Sequence, residues 1–200
     1  MASFEPAAIK AKTGDEFVVG ISVGPGVHGV SGGEVIVSFP SAVLEVVSYE
    51  PGTLLGSNPI VGARELDPSS GSIRMALARQ GATTVLTAPG NFMIVRFRVK
   101  QGAQVGTYQV SVKTFGLSDE RFVALPVSLP EPAVVQIGPV LVGDANGDSA
   151  VDYRDLAMLG AAYGTRQGEP GFDARVDFNG DGIVDYRDLA MLGANYGKTS

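Results

Sequence analysis

The sequence predicts a mainly β protein: an N-terminal antiparallel β-sandwich over residues 1–138, followed by a small C-terminal α module over residues 139–200 built from two loop–helix repeats. Three observations predict it. Runs rich in β-branched and aromatic residues recur up to residue 137, several of them alternating with period two. With 27 glycines and 12 prolines in 200 residues, the composition supplies the turns that many short strands need. The last part is a tandem duplication, because residues 143–164 and 176–197 are identical at 17 of 22 positions at an offset of 33.

The strands are read in order as EFVVGISV (16–23), EVIVSF (34–39), LEVVSY (44–49), SIRMALA (72–78), FMIVRFRVK (92–100), GTYQVSVKTF (106–115) and AVVQI (133–137). Two antiparallel sheets packed face to face accommodate such a series. Successive strand side chains point to opposite faces, so the pattern also sorts inside from outside. Placing Val35, Val37 and Phe39 inward leaves Glu34, Ile36 and Ser38 outward. Ile73, Met75 and Leu77 inward leave Arg74, Ala76 and Ala78 outward, and Met93, Val95, Phe97 and Val99 inward leave Ile94, Arg96 and Arg98 outward. Read as one surface, this outward set has an apolar centre and a basic rim suited to an acidic partner.

The duplicated repeats carry the chemistry. In the first, Asp144, Asn146, Asp148, Asp152 and Asp155 fall at positions 1, 3, 5, 9 and 12 of a calcium-loop pattern; in the second, Asp177, Asn179, Asp181, Asp185 and Asp188 do. Calcium is a hard cation that gathers 6–8 oxygens, and position 7 adds a backbone carbonyl, here from Ala150 and Ile183. Two calcium ions are therefore expected. Position 6 turns sharply and prefers glycine, which Gly182 provides and Ser149 does not. After each loop the spacing predicts a helix with an apolar stripe of Leu156, Leu159, Gly160 and Tyr163, repeated as Leu189, Leu192, Gly193 and Tyr196. Gly164 and Gly197 are placed to end these helices, and Val151 and Val184 at position 8 are expected to pair the loops back to back. The Gly- and Pro-rich segments before the loops predict no entering helix, so each unit is half an EF-hand pair.

Charge agrees with this division. Residues 1–140 hold 11 acidic and 10 basic side chains, whereas residues 141–200 hold 10 acidic and 5 basic ones, nine of the acids being Asp. No region is basic enough for nucleic-acid binding. The chain has no cysteine, so neither a disulfide nor a thiolate metal site forms. No stretch approaches the roughly 20 apolar residues that cross a bilayer. Nor does a catalytic constellation emerge: His28 is the one histidine and has no nucleophile motif, and the adjacent Asp119 and Glu120 point apart. The chain is not expected to be an enzyme.

The duplicated loop, aspartate at position 12 (Asp155, Asp188) and the missing entry helix together resemble the type I dockerin, over residues 141 to 200. That resemblance implies a plug that docks a receptor through loop positions 10 and 11 and the following helix, here Tyr153, Arg154, Gly160 and Ala161, then Tyr186, Arg187, Gly193 and Ala194. Well-known members carry small hydroxyls at positions 10 and 11 and basic residues farther along the helix, so the mode of docking carries over and the specificity does not. The first part, from TGDEFVVGISV through GGEVIVSFPSAVLEVVSYEPGTLL and SGSIRMALAR to IVRFRVK and GTYQVSV, resembles a cohesin, the receptor for dockerins, over residues 4–138. A jelly-roll or Ig-like sandwich follows from that resemblance, with one sheet face receiving a dockerin.

The two resemblances imply a non-catalytic, calcium-dependent scaffolding protein located outside the cell or at its surface, although no signal peptide is visible after Met1. Its partners would be cohesin- or dockerin-bearing proteins, including copies of itself assembled head to tail. The joint of about six residues, Gly138 to Gly143, spans at most roughly 20 Å, which favours docking between chains over docking within one. The alternative is a carbohydrate-binding or structural sandwich that its calcium module docks to a different protein, but the chain has no Trp and no evident aromatic platform.

Overall fold

The computed structural model describes residues 1–81, 89–139 and 141–199, so the expected joint, which includes Val140, lies partly outside the described residues. The chain forms two compact units, Met1–Gly138 and Pro139–Ser200.

The first unit is a sandwich of two sheets. One holds β1 (Ala2–Glu5), β3 (Glu16–Val23), β8 (Gly90–Val99) and β5 (Leu44–Pro51), in that order across the sheet. The other runs β2 (Ala8–Ala11), β11 (Ala133–Ile137), β9 (Gly106–Ser118), β4 (Gly32–Ser38), β7 (Ser72–Ala78), β6 (Ile60–Asp67), with β10 (Ala124–Leu125) pairing on β9. All pairings are antiparallel except β11 with β2. The core lies between the sheets where the alternation placed it: Val35, Val37, Ile73, Met75, Met93, Val95, Phe97 and Val99 are all buried. Phe97 lies between Phe17 and Phe39 in tilted contacts, with ring centroids at 5.7 and 5.4 Å, and Phe92 meets Phe115 edge-on at 5.3 Å. The turn from β6 to β7 ends at Gly71, whose φ of +66° and whose position, where a Cβ would lie 2.1 Å from the Phe39 carbonyl oxygen, both require glycine.

The second unit contains α1 (Tyr153–Ala162) and α2 (Tyr186–Asn195), and among the described residues no helix enters either loop. Its core is small: Ala145, Val151, Leu159, Ala162, Val176, Val184 and Leu192. Gly164 and Gly197 follow the helices with φ of +84° and +81°, the left-handed stop that glycine allows. Two expectations are corrected. Of the expected apolar stripes only Leu159 and Leu192 are buried; Leu156 is 41% exposed, Tyr163 49%, Leu189 40% and Tyr196 52%. The buried face of α1 is Asp155, Leu159 and Ala162, because the loop amides make burial of the aspartate favourable and turn the helix to suit it. The loops do not exchange backbone hydrogen bonds with each other at position 8, although the Val151 and Val184 side chains are buried in one core cluster. Val151 exchanges backbone hydrogen bonds with Gly197 and Lys198 (2.8 and 2.9 Å), and Val184 with Gly164 and Thr165 (2.8 and 3.0 Å), so each loop is clasped by the segment leaving the other repeat's helix.

Candidate metal loops and docking surfaces

Each loop folds through its own side-chain oxygens. Asp144 accepts the Gly147 and Ser149 N–H groups at 2.8 and 3.0 Å, and Asp177 accepts those of Gly180 and Gly182 at 2.9 Å each. Asn146 and Asn179 accept the N–H of Asp148 and Asp181, which in turn accept the N–H of Ala150 and Ile183. The backbone is thereby curled so that Ser149 and Gly182 at position 6 both take positive φ, +72° and +81°. Asp152 and Asp185 cap their helices by accepting the N–H of Arg154 and Arg187, both at 2.8 Å.

Position 12 is the most constrained. Asp155 and Asp188 are fully buried. Asp155 accepts three backbone N–H groups, from Ala145 (2.8 Å), Asn146 (3.1 Å) and Asp152 (2.9 Å), and Asp188 accepts those of Asn179 and Asp185. Each carboxylate ties the start of the loop to the start of the helix, completing a capping box.

The donors at positions 1, 3, 5, 7, 9 and 12 of both loops are all oxygens, which fits a hard dication, and both loops are wrapped with the sharp turn that such a ligand set needs. Among the described residues no three acidic side chains form a ready-made cluster, since the carboxylates are turned to loop amides and to arginine. Hydrogen bonding from the Asn146 amide, with the Ala150 N–H and Arg154 behind it, holds Asp148 below the ordinary aspartate range against desolvation.

The residues expected at the docking surfaces fall into three places. Tyr153 and Tyr186 are each 64% exposed at the first turn of their helices, Arg154 and Arg187 follow them, and Gly160, Ala161, Gly193 and Ala194 line the exposed side farther along. Leu156, Tyr163, Leu189 and Tyr196 belong to the same exposed surfaces, and sequence reasoning had sent them to the core; the one signal against that was the aspartate at position 12, whose burial fixes the helix rotation.

On the sandwich, Glu34, Ile36 and Ser38 of β4 lie beside Arg74, Ala76 and Ala78 of β7 on the larger sheet, whereas Ile94, Arg96 and Arg98 are on β8 of the smaller one. The single outward surface expected from alternation is therefore two surfaces on opposite outer faces. Alternation tells inside from outside but not which sheet a strand joins. The basic rim is also neutralised. Arg74 pairs with Glu34 and, at 3.1 Å, with Glu65; Arg98 reaches Glu16 and Glu45, and Arg96 lies 3.7 Å from Glu16.

Comparison with known proteins places these two units. The cohesin domain family matches residues 3–126, and the dockerin type I domain matches residues 142–195. A comparison with curated proteins gives no match. Among solved structures, the sixth cohesin of Acetivibrio cellulolyticus scaffoldin B, in complex with a Cel5 dockerin mutant, is similar at 19% identity, a TM-score of 0.55, and coverage of 68% of this chain and 97% of that one. A non-cellulosomal cohesin from the archaeon Archaeoglobus fulgidus is similar at 18% identity and TM-score 0.55, covering 69% of this chain and 88% of that one. A type I cohesin–dockerin complex from Clostridium thermocellum gives 14% identity and TM-score 0.56, covering 69% and 96%. At these identities the likeness shows the sandwich fold. Cohesin and dockerin domains are non-catalytic interaction modules, and type I dockerins are calcium-binding. The chain belongs to the cohesin domain family and carries a dockerin type I domain over residues 142–195.

Proposed function

We propose that this chain is a calcium-dependent scaffolding protein whose sandwich is a receptor and whose C-terminal module is a plug, assembling head to tail with copies of itself at the cell surface. The observation that carries the reading is the presence of both partner types in one chain. Calcium would be held by Asp144, Asn146, Asp148, the Ala150 carbonyl, Asp152 and Asp155, and by Asp177, Asn179, Asp181, the Ile183 carbonyl, Asp185 and Asp188. Bound there, it would neutralise the loop carboxylates and fix the helices that follow them.

Two equivalent faces support docking, one with Tyr153, Arg154, Gly160 and Ala161 and the other with Tyr186, Arg187, Gly193 and Ala194, each extended by an exposed leucine and tyrosine. For the receptor we favour the β4–β7 surface, where Ile36 stands between Arg74 of β7 and Thr114 of β9 with Ser38 two residues along its own strand. Ala76 and Ala78 lie farther along β7 as small side chains open to a flat helical partner. A receptor and a plug on one chain make a heterologous contact, which gives rings or open fibres rather than two-fold dimers.

Sedimentation velocity of the full chain tests this. The expected result is association that grows with concentration in calcium and disappears on chelation. Alanine at Tyr153 and Arg154 alone, or at Tyr186 and Arg187 alone, should be tolerated, whereas all four together should abolish it. Ile36→Asp should block association without unfolding the sandwich; a block by Ile94→Asp instead assigns the receptor face to the smaller sheet. A chain that stays monomeric in calcium places the receptor on another protein.

A further inference from the structure

Each loop carries four carboxylates, and their charge is answered in two ways. Asp144 and Asp155 are met by backbone N–H groups. Asp148 and Asp152 also face a side chain of the same loop: Arg154 Nη1 lies 3.1 Å from Asp148 Oδ2 and 3.9 Å from Asp152 Oδ2. The second loop repeats this, with Arg187 Nη1 3.1 Å from Asp181 Oδ2 and 3.9 Å from Asp185 Oδ2. Each guanidinium also lies 5.6 Å from the ring centroid of the preceding tyrosine, Tyr153 or Tyr186, which steadies its stem. The loops differ at positions 2, 6 and 7 (Ala145, Ser149 and Ala150 against Phe178, Gly182 and Ile183), so the arrangement follows from the Tyr–Arg pair and the aspartates they share.

The contact is made to atoms a metal would need. Asp148 Oδ1 takes the Ala150 N–H, while Oδ2 takes both the Asn146 amide at 3.0 Å and Arg154. Asp181 is engaged in the same way by Ile183, Asn179 and Arg187. A monovalent cation on a tether thus stands against two of the carboxylates of each proposed calcium loop.

We propose that Arg154 and Arg187 are built-in counter-cations of the loops: each holds the position 5 and position 9 carboxylates together when calcium is absent and competes with calcium for them. The inference rests on the calcium reading of the loops. Removing the arginine then has two effects of opposite sign. The metal-free loop loses the charge that offsets repulsion among its aspartates, and the metal-loaded loop loses a competitor. A side chain that served structure alone would weaken both states.

The test uses the full chain as wild type and as the Arg154→Gln, Arg187→Gln double variant. Calcium affinity is read by titration calorimetry, and the metal-free state by thermal melting of helical circular dichroism in chelator. Exposed ion pairs of this kind are small, so the expected gain in calcium affinity is about two- to five-fold per loop, together with a lower melting temperature in chelator. A variant with lysine at both positions, which keeps the charge, should recover most of the chelated stability. Equal or weaker calcium binding by the glutamine variant, or unchanged melting in chelator, overturns the proposal while leaving the calcium reading intact. No calcium uptake by wild type or variant overturns both.

Discussion

Ser149 offers a perturbation whose size can be worked out from the backbone. It sits at position 6 with φ of +72°, where the second loop has Gly182 at +81°. For an L residue the left-handed region costs about 1–2 kcal/mol, and glycine removes that cost. Glycine also loses more freedom on folding, which returns about 0.5–1 kcal/mol. The net gain for Ser149→Gly is about 0.5–1 kcal/mol, a factor of roughly 2–5 in an equilibrium constant. The Ser149 N–H bond to Asp144 at 3.0 Å is a backbone contact and survives the change. Thermal melting of the helical signal, with and without calcium, should rise by a few degrees, and calcium titration shows whether any of the gain appears as affinity at the first loop. A gain equal in both conditions means that the loop keeps its shape without metal; a gain confined to calcium means that the loop relaxes on chelation. Gly182→Ser should cost a similar amount. If Ser149→Gly melts at or below wild type while Gly182→Ser is neutral, position 6 stores no strain and the reasoning fails.

Two other predictions follow from particular hydrogen bonds. Asp155→Ala leaves the buried N–H group of Ala145 and the part-buried ones of Asn146 and Asp152 without their acceptor, and should destabilise the C-terminal module by about 2–3 kcal/mol in urea unfolding followed by helical circular dichroism. At the β6–β7 turn, the Ser69 and Ser70 hydroxyls, then their N–H groups, lower the pKa of Asp67 to about 2 from 3.8. A folded pKa below the unfolded one stabilises above about 3.8, and that contribution is lost as pH falls toward 2. The Ser69 and Ser70 amide resonances should therefore hold their positions from pH 7 to 4 and shift below it.

The sandwich was legible where packing is two-sided. β3, β4, β7, β8 and β9 bury alternate or successive apolar residues, and the pattern is written in the side chains. β6 was not legible, because among the described residues it pairs only with β7, at the end of the sheet, and it is exposed along almost its whole length, so no alternation marks it. β1 and β2 are four residues each, and the parallel pairing of β2 with β11 joins segments more than 120 residues apart that carry no local signal. Sheet membership was hidden for the same reason, which is why Ile94, Arg96 and Arg98 were grouped with Glu34, Ile36 and Ser38. In the loops, ligand spacing is a local property, and the side chains at positions 1, 3 and 5 of both copies each accept N–H groups of their own loop. The helix face was read from the apolar spacing alone, with the aspartate at position 12 taken only as a metal ligand, whereas Asp155 is satisfied by amides and buried. The exchange of clasping segments between repeats is a tertiary fact with no spacing to betray it.

The claim on which the plug rests is that both duplicated loops hold calcium. Calorimetric titration of calcium into the metal-stripped full chain tests it most directly. The account predicts two ions per chain, falling to one with Asp177→Ala and to none when Asp144→Ala is added. Absence of calcium uptake by the wild-type chain, or uptake unchanged by both substitutions, would contradict it.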